Sequence, residues 1–155
     1  YFDIANGPGI RTSLYVSGCP IHCPGCFNQE TWDFTGGSPF TLDVALSIFK
    51  SMNEHIAGLS ILGGEPLAVQ NYPVVQPLVS DFKRNFPDKT IWLWTGYEWD
   101  VVKNYPIMDY IDVCVAGPFD VTKRDLSLKW CGSSNQQVID VKKTKQTGKV
   151  VLYEE

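Results

Sequence analysis

The chain has no apolar run near the roughly 18 residues that a membrane span needs, so none of it is expected to cross a bilayer. Nor is there an excess of cations: 13 Lys and Arg stand against 17 Asp and Glu, a net charge of −4. That balance argues against broad nucleic-acid binding, which depends on basic groups neutralising phosphates, and favours a protein or small-molecule partner. Histidine is scarce, and neither His55 nor any serine has the oriented partner that a hydrolytic triad requires. Internal repeats and low-complexity tracts are absent. Tyr1 to Asn6 lack the basic stretch and apolar core of a secretory signal, and since Tyr1 is not Met, native residues are expected ahead of it. At 155 residues and 44% hydrophobic content, the chain reads as one domain over 1–155 with a real core.

What is present is a series of short apolar strands separated by amphipathic segments, the pattern of an α/β fold with a mostly parallel sheet. Strands are predicted at Thr12 to Ser17, Leu59 to Leu62, Thr90 to Thr95 and Ile111 to Val115. Weaker candidates lie at Val138 to Val141 and Val150 to Tyr153, one of which is expected to pair at an edge. Helices are predicted from Thr41, where Val44, Ile48 and Met52 share a face, over Val74 to Phe86, and briefly over Glu98 to Asn104. Gly18 to Gly37 reads as a loop, long enough to suggest a functional role. The basic run Lys142, Lys143, Lys145 and Lys149 reads as a solvated tail or turn. Each strong strand ends at glycines or at the cysteine loop. In parallel α/β sheets ligands bind at the carboxyl ends of strands, so Cys19 to Cys26, Gly63 to Pro66, Thr95 to Gly96 and Gly117 to Phe119 are expected to converge.

Five cysteines are present, and three of them fall within Cys19-Pro20-Ile21-His22-Cys23-Pro24-Gly25-Cys26. So tight a cluster suits metal or redox use in a reducing compartment, and the expected location is the cytoplasm. Three thiolates on such spacing can cap three corners of an iron–sulfur cluster and leave the fourth iron open. A zinc site is the alternative, although structural zinc usually takes two separated ligand pairs and Cys114 and Cys131 stand alone. Cys114, in an apolar strand, reads as a small buried hydrophobe, and Cys131 as a surface thiol, with a redox residue as the other possibility. Arg11 reads as part of a structural turn into the first strand, with a place near the site as the other possibility. Asn135 and Gln136 serve either docking or turn stabilisation.

Cysteines separated by three and then two residues, directly after a first strand, resemble the motif of the radical S-adenosylmethionine superfamily. Asn6-Gly7-Pro8-Gly9-Ile10-Arg11, Cys26-Phe27-Asn28, Trp32, Gly63-Gly64-Glu65-Pro66-Leu67, Trp94-Thr95-Gly96-Tyr97 and Gly132-Ser133-Ser134-Asn135-Gln136 narrow the likeness. Together they resemble the family of anaerobic ribonucleoside-triphosphate reductase-activating proteins, in that family's order from near the first residue to about Asp140.

The resemblance implies a partial, laterally open (β/α) barrel of the radical S-adenosylmethionine type. It implies that Cys19, Cys23 and Cys26 hold a 4Fe-4S cluster whose open iron takes S-adenosylmethionine. Gly25 and Phe27 then adjoin the adenine, Gly63, Gly64 and Glu65 meet the methionine amino group, and Thr95 and Gly96 line the ribose side. The implied reaction is one-electron cleavage to a 5′-deoxyadenosyl radical that abstracts hydrogen from a glycine of the reductase large subunit. A flavodoxin or ferredoxin-type electron donor is implied as a second partner. Activation of another glycyl-radical enzyme, or small-molecule radical chemistry, is the alternative.

Overall fold

The computed structural model describes residues 2–3, 7–16 and 42–154. Six strands form one open sheet: β1 (Phe2–Asp3), β2 (Ile10–Val16), β3 (Ile56–Gly63), β4 (Thr90–Thr95), β5 (Val113–Ala116) and β6 (Gln137–Asp140). Their spatial order is their sequence order. β2 to β5 are mutually parallel, and β1 and β6 close the two sides antiparallel. When successive parallel strands are neighbours, right-handed crossovers place every connecting helix on the same face. Those connections are α1 (Leu42–Ser51), α2 (Tyr72–Asn85), and α3 (Trp99–Val102) with a 3-10 turn at Pro106–Asp109.

The pleat sorts the side chains by alternation. Leu59 and Ile61 of β3, Ile91 and Leu93 of β4, and Cys114 and Ala116 of β5 pack with Ile48 of α1 and with Val75, Leu78, Val79 and Phe82 of α2. Phe49 and Phe86 meet Phe82 in edge and tilted contacts that close this layer. On the opposite face Trp92, Val113 and Val115 gather Trp94, Trp130, Val138 and Tyr153.

Several boundaries differ from the sequence reading; β5, for example, begins at Val113 rather than at Ile111. β2 begins at Ile10 and β3 at Ile56, earlier than the predicted Thr12 and Leu59. The added residues include a charged Arg11 and a bare Gly58, which give no apolar alternation. Lys142, Lys143 and Lys145 of the basic run are solvated as expected, but they stand on a helix, α4 (Val141–Thr147), rather than in a tail or turn, and Lys149 follows it. Its start is capped by the Asp140 carboxylate, which accepts from Lys143 N–H, and its end by Gly148 in the left-handed region at φ 73°. Lys142 and Lys145 pair with Asp112 and Asp109. The edge pairing expected of one late segment belongs to β6. Residues after α4 lie along its outer side, where Asp140 N–H donates to Val151 O and Tyr153 N–H to Val138 O.

Arg11 lies at the amino ends of the strands and is 0% exposed. Its guanidinium donates to Ser60 Oγ at 2.8 Å, Thr90 Oγ1 at 2.8 Å, Thr90 O at 2.8 Å and Leu59 O at 3.0 Å, stitching β2, β3 and β4 together. It also sits 5.9 Å from the centroid of the Trp92 ring. Gly58 is required here, because a Cβ would lie 1.9 Å from Thr90 O and 2.9 Å from the guanidinium. Val16, at the far end of β2, is five residues away, about 16 Å along a strand. The structural reading of Arg11 therefore holds.

Arg11→Ala leaves buried acceptors on two strands, β3 and β4, without their donor. It is expected to cost about 3 kcal/mol, a fall of roughly 6–12 °C in Tm for a chain of this size. A thermal melt unchanged within about 2 °C would refute this role.

Candidate functional site

The carboxyl ends of the parallel strands form one rim. Val16 pairs with Gly63, and Gly64 N–H donates to Val16 O at 2.7 Å. Gly63 has φ +106°, and a Cβ there would lie 2.7 Å from Val16 O and 2.8 Å from Val16 N. Only glycine lets the turn after β3 seat on the last residue of β2. Farther along, Gly117 N–H donates to Tyr97 O at 2.9 Å, which joins the ends of β4 and β5. Of the four segments expected to converge, the three within the described residues do so. Cys19, Cys23, Gly25, Cys26 and Phe27 lie outside the described residues.

Glu65 links the middle of the rim. Its side chain turns inward and is 1% exposed. Oε2 accepts from Thr95 Oγ1 at 2.7 Å and Leu67 N–H at 3.0 Å, while Oε1 accepts from Gly96 N–H at 2.7 Å. Thr95 Oγ1 in turn accepts from Tyr97 N–H at 3.2 Å. The carboxylate thus fixes the turn after β3 to the turn after β4. Burial pushes its pKa from 4.5 up to about 7, against the hydrogen bonds from Thr95, Gly96 and Leu67, which pull it down. Thr95 and Gly96 were singled out in the sequence as site residues. Their attachment to Glu65 had no local signal there, because it spans thirty positions of chain.

The rim's backbone is bare of side chains at Gly63, Gly64 and Gly96, as a ligand that approaches the main chain closely requires. Next to it, Leu67, Val69, Tyr72, Tyr97, Tyr105 and Pro106 border an apolar groove of about 640 Å³ on the helix side. Among the described residues no group of three or more His, Cys, Asp or Glu is placed to hold a metal ion. Cys114 is fully buried, and burial followed by the nearby Glu65 charge pushes its thiol far up, so it is an inert core residue. Cys131 is half-buried against the Trp92 layer, and burial followed by the Asp125 charge raises its thiol as well. Gln136 stabilises a turn: Oε1 accepts from Gly132 N–H and Ser133 N–H, and Nε2 donates to Gly117 O. Asn135 Nδ2 donates to Pro118 O at 2.9 Å, but its buried Oδ1 has no partner among the described residues.

The sequence profile of a family described as "4Fe-4S single cluster domain" matches residues 5–139. Curated relatives from Salmonella typhimurium and Escherichia coli K12 are each 43% identical over 141 residues, covering 88% of this chain and 92% of the relative. A relative from Enterobacteria phage T4 is 39% identical over 137 residues, covering 88% of this chain and 87% of its own. All three carry the name anaerobic ribonucleoside-triphosphate reductase-activating protein.

The raised carboxyl at Glu65 makes stability depend on pH. The native state keeps a proton that the unfolded chain releases near 4.5, so this group's contribution is full below 4.5 and is lost as pH rises through about 7. In Glu65→Gln that fall is expected to vanish between these limits, while the remaining pH dependence is kept. Denaturant midpoints of both proteins across the interval measure it, and parallel curves would refute it.

Proposed function

The chain belongs to the family of anaerobic ribonucleoside-triphosphate reductase-activating proteins, and on that basis we propose that it generates the glycyl radical of such a reductase's large subunit. Cys19, Cys23 and Cys26 are the proposed ligands of a 4Fe-4S cluster. The observation that carries this reading is the seating of Gly63-Gly64 on Val16. Val16 ends β2, and Cys19 follows it by three residues in the sequence. The proposed ligand motif thus begins three residues after the strand end on which the glycine rim seats.

On this reading Gly25, Phe27, Gly63, Gly64, Thr95 and Gly96 surround S-adenosylmethionine. The cluster and S-adenosylmethionine, when bound, supply one-electron cleavage of a carbon–sulfur bond and with it a hydrogen-abstracting radical. The chain's own residues bind and orient. Gly63 and Gly64 present main chain to the amino-acid end of the ligand, and Thr95 and Gly96 to its ribose side. Glu65, assigned by resemblance to the ammonium group, is instead proposed to act from behind as a positioning residue, since its carboxylate is spent on Thr95, Gly96 and Leu67. The apolar helix layer and the Trp92 layer leave little water beneath the rim, which protects a reactive species from solvent.

We further propose that the sheet is a partial, laterally open barrel of the radical S-adenosylmethionine type. Sequential parallel order with all helices on one side supports it, as does a length well under the roughly 250 residues of a closed eight-unit barrel. A continuous sheet from Phe2 to Asp140 supports a single domain over 1–155. A flavodoxin or ferredoxin-type protein is the proposed electron donor. The cytoplasm is the proposed location, because a thiolate triad needs a reducing compartment. No helix among the described residues is long and apolar enough to cross a membrane.

Anaerobic reconstitution is expected to give about four irons per chain. Mixing that protein with reductant, S-adenosylmethionine and the reductase large subunit should give a glycyl doublet in electron spin resonance. Cys23→Ala should lose both the iron and the doublet. Retention of either by the variant, or no doublet from the iron-loaded parent, would overturn the reading.

A further inference from the structure

The connection between β5 and β6, residues 117–136, starts and ends on the rim, because β5 runs towards it and the antiparallel β6 runs away from it. Its last residue lies against its first: a Cβ on Gly117 would stand 3.5 Å from the Cα of Gln136. The half-buried Gln136 amide uses both of its ends here. Oε1 accepts from Gly132 N–H at 3.0 Å and from Ser133 N–H at 3.1 Å, and Nε2 donates to Gly117 O at 3.0 Å. Two N–H groups can face only the oxygen and a carbonyl can face only the NH2, so the network fixes which way the amide points.

The two ends of this amide serve different places. The 132–136 turn needs only an acceptor, and a carboxylate would be the stronger one, since charge-assisted bonds are roughly twice as strong as neutral ones. An ionised carboxylate cannot donate. The choice of glutamine is therefore explained by Gly117 O, nineteen positions away, and not by the turn. From Gly117 the contacts continue along the rim. Gly117 N–H donates to Tyr97 O at 2.9 Å, Tyr97 N–H to Thr95 Oγ1 at 3.2 Å, and Thr95 Oγ1–H to Glu65 Oε2 at 2.7 Å. The turn after β4 is held from both neighbours: Glu65 on the β3 side takes Thr95 and Gly96, and Gly117 on the β5 side takes Tyr97. Gly117 itself has φ +111°, a region in which glycine is conformationally free, and the Gln136 amide holds its carbonyl.

We propose that Gln136 is a positioning residue for S-adenosylmethionine, holding the Thr95–Gly96 main chain in place for the ribose side of that ligand through Gly117 and Tyr97. This inference rests on the activase reading, in which Thr95 and Gly96 face the ribose, and extends it to a residue that acts through others. Glu65 and Gln136 then secure one turn from opposite neighbours, and loss of the Gln136 link frees its β5 side while the β3 side stays fixed.

The test compares the parent with Gln136→Glu, which keeps an acceptor for Gly132 and Ser133 but sets a carboxylate oxygen against Gly117 O. Reconstituted protein is titrated anaerobically with S-adenosylmethionine to give Kd, with iron content, thermal melts and amide hydrogen exchange measured alongside. Gln136→Glu is expected to keep its iron, to melt within about 3 °C of the parent, and to bind S-adenosylmethionine at least about fivefold more weakly. Exchange should quicken at Gly96, Tyr97 and Gly117 and stay slow at Gly132 and Ser133. Gln136→Met, neutral and of similar length, removes both bonds; its Kd should rise at least as far, which separates the lost link from the added charge and serves if the glutamate variant takes up no iron. A residue that serves only its own turn would leave Kd and the 95–97 exchange unchanged in both variants. That result, with Kd within about twofold of a parent that binds, overturns the inference while the activase reading stands. An iron-loaded parent that binds no S-adenosylmethionine overturns the activase reading, and this inference with it.

Discussion

A single buried carboxylate sets the relation between the two middle strands at the working end of this sheet. Parallel pairing by itself fixes the spacing of β3 and β4 but leaves the turns beyond them free to diverge. Glu65 removes that freedom by taking donors from both sides: Leu67 on its own loop, Thr95 and Gly96 on the next. Three directed contacts on one planar group leave few ways for the turns to move independently. The cost is desolvation of a charge, visible in the raised carboxyl. A site that must place two stretches of bare backbone around one ligand gains from that rigidity.

The two ends of the sheet use opposite charges for related purposes. Arg11 at the amino ends has donors to spare and distributes them over carbonyls and hydroxyls of β3 and β4. Glu65 at the carboxyl ends has acceptors and collects N–H and O–H groups. The assignment follows the chemistry of the backbone available at each end. Arg11 is long enough to cross two strands, provided that Gly58 leaves it a path. Glu65 sits in a turn where N–H groups freed from the ladder point towards it.

Much of this was legible in the sequence where the signal is local. β4 runs from Thr90 to Thr95 as predicted, since Ile91 and Leu93 alternate with tryptophans between polar ends. α1 and α2 follow their apolar stripes. The glycines at 63 and 64 announced a turn that needs close approach, and they make one against Val16. What stayed hidden depends on partners distant in the chain or on charge turned inward. Arg11 and Glu65 carry charged side chains of a kind usually found at the surface, yet both are buried by partners far along the chain, Ser60 and Thr90 for Arg11 and Thr95 and Gly96 for Glu65. Asn135 and Gln136 are adjacent amides that sequence cannot distinguish. Geometry separates them: Gln136 uses both ends of its amide, whereas Asn135 Oδ1 finds no donor among the described residues.

The strip of chain lying along β6 has a further effect. Hydrogen bonds from Asp140 N–H to Val151 O and from Tyr153 N–H to Val138 O occupy two of the outward main-chain groups of the last strand. An uncovered border of that kind would offer a template for foreign strands and for stacking of sheet on sheet into insoluble polymers. With the border sealed, an incoming polypeptide cannot simply extend the sheet there, and selectivity is left to side chains rather than to indiscriminate backbone zippering.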